Sequence, residues 1–142
     1  MVPFATALAE MAAPAGFNIE LELAPPDTYW SEVWLNRPFF ASNWGMRPSL
    51  DETFSIQFTS DAKWNEGNFG TDEIDAAVAA GRASSDLDER KAQYGIVQQG
   101  LHDEGGVIIS YFRPVIQAYR ESVSGYVPHP AQWVYLNNVK VG

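Results

Sequence analysis

Arg47, inside the run SNWGMRPSLDETF at residues 42–54, is the side chain with the most direct route to chemistry. Its planar guanidinium presents a fork of donors that matches a carboxylate. Pro48 restricts the backbone of Arg47 to extended conformations, which helps to aim the side chain. Trp44, Gly45 and Met46 precede it, and Asp51 and Glu52 come after it. Two readings compete. As a surface ion pair with Asp51 or Glu52, Arg47 contributes only about 0–1 kcal/mol. As the grip on an anionic group, it forms a charged hydrogen bond worth roughly 1.5–3 kcal/mol. Trp44-Gly45 is correspondingly either a platform for a ligand or core filling.

Other candidates for chemistry fare less well. The two histidines are His102, near the end of a helical pattern where a cation is favourable, and His129, between two prolines. Both read as structural. Asp72, Glu73 and Asp75 form one carboxylate cluster, and Asp86, Asp88 and Glu89 another. Each falls in a first helical turn, where acids complement the helix dipole. The run DAKWNEGNFGTD has Lys63 and Glu66 where a calcium loop needs an oxygen ligand and a glycine, so calcium is not expected. No nucleophile elbow, zinc-protease or phosphate-loop motif occurs. Neither an enzymatic activity nor a cofactor or metal is expected.

Composition narrows the partners. The formal charge is −9, with nine basic residues scattered over 142. Nucleic acids and anionic membrane surfaces demand clustered Lys and Arg, so both are excluded. Nearly half the residues are hydrophobic, which fits a folded chain, yet no apolar run is long enough to span a membrane. Cysteine is absent, removing disulfides and thiolate sites. No Lys or Arg precedes Arg37, so the charged start of a secretory signal is missing from these residues.

Periodicity gives the elements around Arg47. Phe4, Leu8 and Met11 mark a short helix ended by Pro14 and Gly16. FNIELEL alternates apolar and polar residues, predicting a strand over 17–23. Asp27 caps a helix through TYWSEVWL, in which Trp30 and Trp34, one turn apart, read as core. RPFFASNW predicts a second strand, placing Trp44 at its end. Ser49 and Glu52 form a capping box for a helix from about Leu50. Residues 59–70 read as a polar loop containing Trp64. Thr71 caps a helix with the stripe Ile74, Ala77, Val78 and Gly81. Asp86 and Glu89 open a longer one with the stripe Leu87, Tyr94, Val97 and Leu101, stopped by Gly105-Gly106. VIISYF predicts a strand covered on both faces, and a turn-rich, strand-like tail completes the chain. The expected fold class is α/β, a mixed sheet flanked by helices with parallel pairing.

WGMRPSLDETFSIQF, together with WNEGNFGTDEIDAAVAAGRASSDLDERKAQYGIVQQGLHDEGGVIISYF, resembles the C-terminal part of the family 5 extracellular solute-binding proteins. The matching features are the tryptophan after a strand and the helix starts at Asp72–Val78 and Asp86–Arg90. The turn at Asp103–Ile108 and the earlier unit AEMAAPAGFNIELELAPPDTYW match as well. The family comprises the peptide, opine and nickel receptors of ABC importers. The resemblance implies a non-catalytic, periplasmic or extracellular receptor that closes two lobes around a small-molecule solute and delivers it to a permease. It implies an incomplete second lobe of the type II binding-protein kind at residues 1–112. Residues 113–142 correspond to a return crossing toward a first lobe that these residues do not include. Peptide-binding members carry an aspartate three residues after the tryptophan, where this chain has Arg47. That reversal implies a carboxylate-bearing or otherwise anionic solute. The ligand set implied is Trp44, Gly45, Met46, Arg47, Trp64 and Asn65, with the tryptophans as walls and Asn65 as a polar contact. A half-clamshell also leaves an apolar face uncovered, so self-association is expected, with exchange of the tail after Arg113 as one route. The alternative function is a stand-alone interaction domain that assembles through that face. A small hydrolase working through the clustered carboxylates ranks last.

Overall fold

Ser49, Thr71 and Asp86 open three of the helices, each by a side-chain oxygen that accepts from the backbone. Ser49 Oγ accepts from the N–H of Glu52 at 3.2 Å, Thr71 Oγ1 from that of Ile74 at 3.2 Å, and Asp86 Oδ1 from those of Asp88 and Glu89 at 2.9 Å. In the computed structural model, which describes residues 1–142, the chain order is α1 (Val2–Ala12), a 3-10 turn (Ala13–Ala15) and α2 (Tyr29–Glu32). Then come α3 (Leu50–Gln57), α4 (Asp72–Ala83), α5 (Leu87–Glu104), β1 (Val123–Ser124) and β2 (Lys140–Val141). Gly16 closes the first helical stretch in the left-handed region at φ 90°.

The core lies where α3, α4 and α5 meet. Ile74, Ala77, Val78 and Gly81 form the buried stripe of α4, as their spacing predicts. Tyr94 and Val97 face it from α5, with Phe54 and Phe58 closing the third side. Phe54 and Tyr94 meet edge to face at 5.4 Å. Leu101 packs against this cluster, but Leu87 is exposed, so the stripe of α5 begins later than its periodicity suggests. One polar knot ties the three helices together. Asp51 of α3 accepts from Arg82 Nε of α4 at 3.0 Å and from the Tyr94 hydroxyl of α5 at 3.4 Å, and Arg82 also donates to Ser55.

The expected mixed α/β sheet is absent, and the second-lobe architecture is corrected with it. The only strands are β1 and β2, an antiparallel pair of two residues each with Val123 opposite Val141. Segments 17–23, 37–44 and 107–112 are not strands. Residues 18–24, 38–48 and 106–119 make no backbone-to-backbone hydrogen bond at all. The helix capped by Asp27 shrinks to the single turn of α2, whose N-cap is Thr28. A helix satisfies its own backbone and forms from local sequence plus one apolar face. A strand needs a second strand beside it, and none of these segments has one here.

The result is an open molecule. It makes 63 backbone hydrogen bonds, whereas a chain of this length has roughly 95 when fully paired. Its accessible surface is 10852 Å², against roughly 7,300 Å² for a compact monomer of its mass. Much of the surplus is apolar: Ile108, Ile109, Phe112 and Ile116 lie in the solvent. No helix is long and apolar enough to cross a membrane.

Candidate functional site

Two structural devices bring four of the five tryptophans of the sequence to one place. The first is the loop from Phe58 to Gly70. The Trp64 N–H donates to the carbonyl of Ile56 in α3 at 3.1 Å, which fixes the residue beside the start of the loop. Asn65 cinches the remainder of the loop. Its Nδ2 donates to the carbonyls of Thr59 at 3.2 Å and Phe69 at 2.9 Å, and its Oδ1 accepts from the Phe69 N–H at 3.3 Å. Asp75 ties the same loop to α4, accepting from the Ser60 N–H at 2.9 Å and from its hydroxyl. The second device is Glu66, which accepts from Trp34 Nε1 at 2.5 Å and from the Ser42 hydroxyl at 2.7 Å. It thereby joins the α2 region and the 38–48 segment to the loop.

These ties produce a continuous row of rings. Tyr29 meets Trp30 at 5.2 Å between centroids, Trp30 meets Trp34 at 5.6 Å, Trp34 meets Trp64 at 6.1 Å, and Trp64 meets Trp44 at 5.8 Å. Arg47 caps the end of the row. Its guanidinium carbon lies 5.5 Å from the Trp44 ring centroid and 6.0 Å from that of Trp64. Cation–π attraction of this kind contributes about 0.5–2 kcal/mol, more as water is excluded.

Of the two acids expected beside Arg47, the structure brings one to it. Asp51 is committed to Arg82 and Tyr94 and leaves Arg47 alone. Glu52 is its ion-pair partner, as one of the two readings expects, with Oε1 at 3.8 Å from Arg47 Nε, within ion-pair range but beyond hydrogen-bond reach. Nε is buried and makes no hydrogen bond, and no nitrogen of the guanidinium donates one within the chain. The side chain is 30% exposed, so it is held against the rings while part of it opens outward.

The six residues expected at the site divide accordingly. Trp44, Arg47 and Trp64 converge. Gly45 and Met46 are exposed; the space around Gly45 is open, and Met46 contributes no ring contact. Asn65 has its amide fully engaged in holding the loop, so it positions Trp64 and has no donor spare for a solute. Spacing alone reads Trp34 as core packing and gives Glu66 and Ser42 no role, yet these three hold the row together. Their signal in the sequence is weak: Glu66 lies two residues after Trp64, and nothing in its spacing points back to residues 34 and 42.

Elsewhere the molecule offers less. A concavity of about 560 Å³ lies between the start of α4 and the second half of α5, lined by Glu73, Asp103 and Glu104 and by no basic side chain. It repels anions. His102 bonds through Nδ1 to Asp103 at 2.8 Å, and with Gln99 this holds the Asp103 carboxyl below its usual range. His129 stacks on Trp133 at 4.9 Å, and its Nδ1 accepts from the Ala131 N–H. No group of three His, Asp or Glu side chains converges as metal ligands. No family model, no curated protein and no solved structure matches the chain.

Proposed function

We propose that the chain binds a small carboxylate-bearing solute at Arg47, as part of a solute-capturing receptor of the kind that feeds an ABC permease. The observation that carries the reading is the guanidinium itself, held over Trp44 and Trp64 with no hydrogen bond from within the chain and with Glu52 no nearer than 3.8 Å. Arginine offers five donors, and a buried donor left unmatched is costly. A carboxylate seated on the exposed part of the side chain accepts from two of its donors at once, while the indole rings supply an apolar wall for the rest of the solute. The receptor role and its permease rest on the resemblance of the motifs; the preference for an acid rests on Arg47.

The test is calorimetric titration of the 142-residue chain with opine-like N-substituted amino acids and with the corresponding amides. Acids are expected to bind at least tenfold more tightly than amides. Arg47→Ala should reduce acid affinity about tenfold to a hundredfold, as expected for loss of a hydrogen bond to a charged group. Arg47→Lys should recover only part of it, because an ammonium lacks the planar fork. Circular dichroism of each variant confirms that α3–α5 remain intact. Equal affinity for acid and amide, or an unchanged Arg47→Ala titration, overturns the proposal.

A further inference from the structure

Val107–Phe112 leaves the helical core with its backbone unpaired and most of its side chains exposed. Beyond Val107, Tyr111 alone meets another ring, Phe4 of α1, at 5.8 Å between centroids. Its first residue is anchored. Gly106 lies against the backbone of Gly67, so closely that a Cβ there would meet the Gly67 carbonyl, and Val107 packs on the core cluster. Beyond that anchor Ile108, Ile109, Tyr111 and Phe112 are exposed, Phe112 at 92%. No residue from 106 to 119 makes a backbone hydrogen bond to another part of the chain. A segment of β-branched and aromatic residues with free N–H and C=O groups is a template for a strand.

We infer that this segment is a homodimer interface in which two copies pair Val107–Phe112 antiparallel across a twofold axis. Charge distribution selects a second copy. The chain carries −9, so most of its surface repels a twin. FNIELEL brings Glu20 and Glu22 with it, and self-pairing there sets like charges together. VIISYF carries no charge, and the first ionic residue after it is the cation Arg113. Geometry selects the register. A twofold axis normal to the sheet keeps each side chain on the same face in both copies, so the axis must pass through a residue pair of equal number. Centring on Ser110 sets Ile109 opposite Tyr111 and Ile108 opposite Phe112, the β-branched–aromatic pairs that stabilise antiparallel strands. It also sets Gly106 opposite Pro114, which has no N–H, so the ladder ends there. The pairing covers side chains that are exposed in the single chain, Ile108 at 66%, Ile109 at 67% and Phe112 at 92%.

The absence of cysteine makes the test clean. Ser110→Cys places two thiols face to face on the axis, and any disulfide it forms must join two chains. Under a mild redox buffer, Ser110→Cys is expected to form disulfide dimers at least tenfold faster than Ser85→Cys, an exposed control just before the start of α5. Sedimentation velocity of the natural chain should show a concentration-dependent dimer, and Ile109→Lys should return a monomer with unchanged helical circular dichroism. A monomer at high concentration, disulfide formation no faster than in the control, or open-ended aggregates without a defined dimer would each overturn the inference. So would a chain that stays monomeric and acquires its strand only from a different polypeptide.

Discussion

At the scale of single residues, Glu66 is the side chain on which the arrangement turns. It holds Trp34 and Ser42, and it lies near enough to Tyr29 to act on its titration. The Tyr29 phenol is raised above its ordinary value, first by burial and second by the Glu66 carboxylate, and its hydroxyl donates to the Ala41 carbonyl at 2.5 Å. The fold therefore prefers the neutral phenol. The stability this confers is fully present below pH 10, where the phenol of the unfolded chain begins to ionise. It is lost as pH rises through the higher folded value, because the unfolded state releases its proton first. Glu66→Gln is expected to lower the Tyr29 midpoint part of the way toward 10, since burial remains. Phenolate absorbance measured against pH, with Tyr29→Phe to identify the signal, checks this. A midpoint unmoved by Glu66→Gln contradicts the role of the carboxylate.

Arg47 shows what was legible at this scale. Its type, its proline and its tryptophan neighbour were enough to single it out. The choice between Asp51 and Glu52 as its neighbour was not, because it depends on Arg82, a residue of another helix that claims Asp51. The amide of Asn65 reads as a contact for a solute until the loop closes on it. Short-range spacing names the groups, and long-range bonding decides which of them are free.

At the scale of elements, α4 and α5 were readable because their caps and stripes are local. Two of the three glycines in these helices carry opposite expectations. A Cβ on Gly81 would meet Tyr94 Cε1 at 2.4 Å, and that ring is held in the core against Phe54. Gly81→Ala gains about 1 kcal/mol of helix propensity but overpacks at a cost of about 1–3 kcal/mol, so the variant is expected to be destabilised by up to about 2 kcal/mol. Gly95, on the exposed face of α5, has nothing within 4 Å of such a Cβ. Gly95→Ala is expected to stabilise by about 0.5–1 kcal/mol. Urea denaturation of both variants measures the pair, and equal effects would mean that α4 and α5 do not approach as closely as described. The expected strands fail for the converse reason. FNIELEL and VIISYF have the right composition, but a strand is a property of two segments, and one sequence pattern specifies only half of it.

At the scale of the whole molecule, order is concentrated in α3–α5 and the loop they hold, while much of the remaining backbone is left to water. Hydrogen exchange should show this directly. In dilute solution, amides of α4 and the middle of α5 are expected to be the most protected, and those of 18–24, 38–48 and 106–119 to exchange as in an unstructured chain. Raising the concentration should slow exchange at 107–112 while leaving 18–24 unchanged. Protection at 18–24 in the dilute chain would mean that a sheet forms there after all.

The row from Tyr29 to Trp44 also gives the molecule an optical character. Four of its five tryptophans stand in a row, each 5.6–6.1 Å from the next between ring centroids, and Trp133 stands apart against His129. At such separations an excitation absorbed by one indole passes to the next far faster than it is emitted. Light taken up anywhere along the row is therefore read out wherever quenching or the lowest-energy emitter lies. Because Arg47 and its surroundings sit at one end, a change there alters the emission of the whole row. The chain carries its own antenna, and the terminus of that antenna is the arginine.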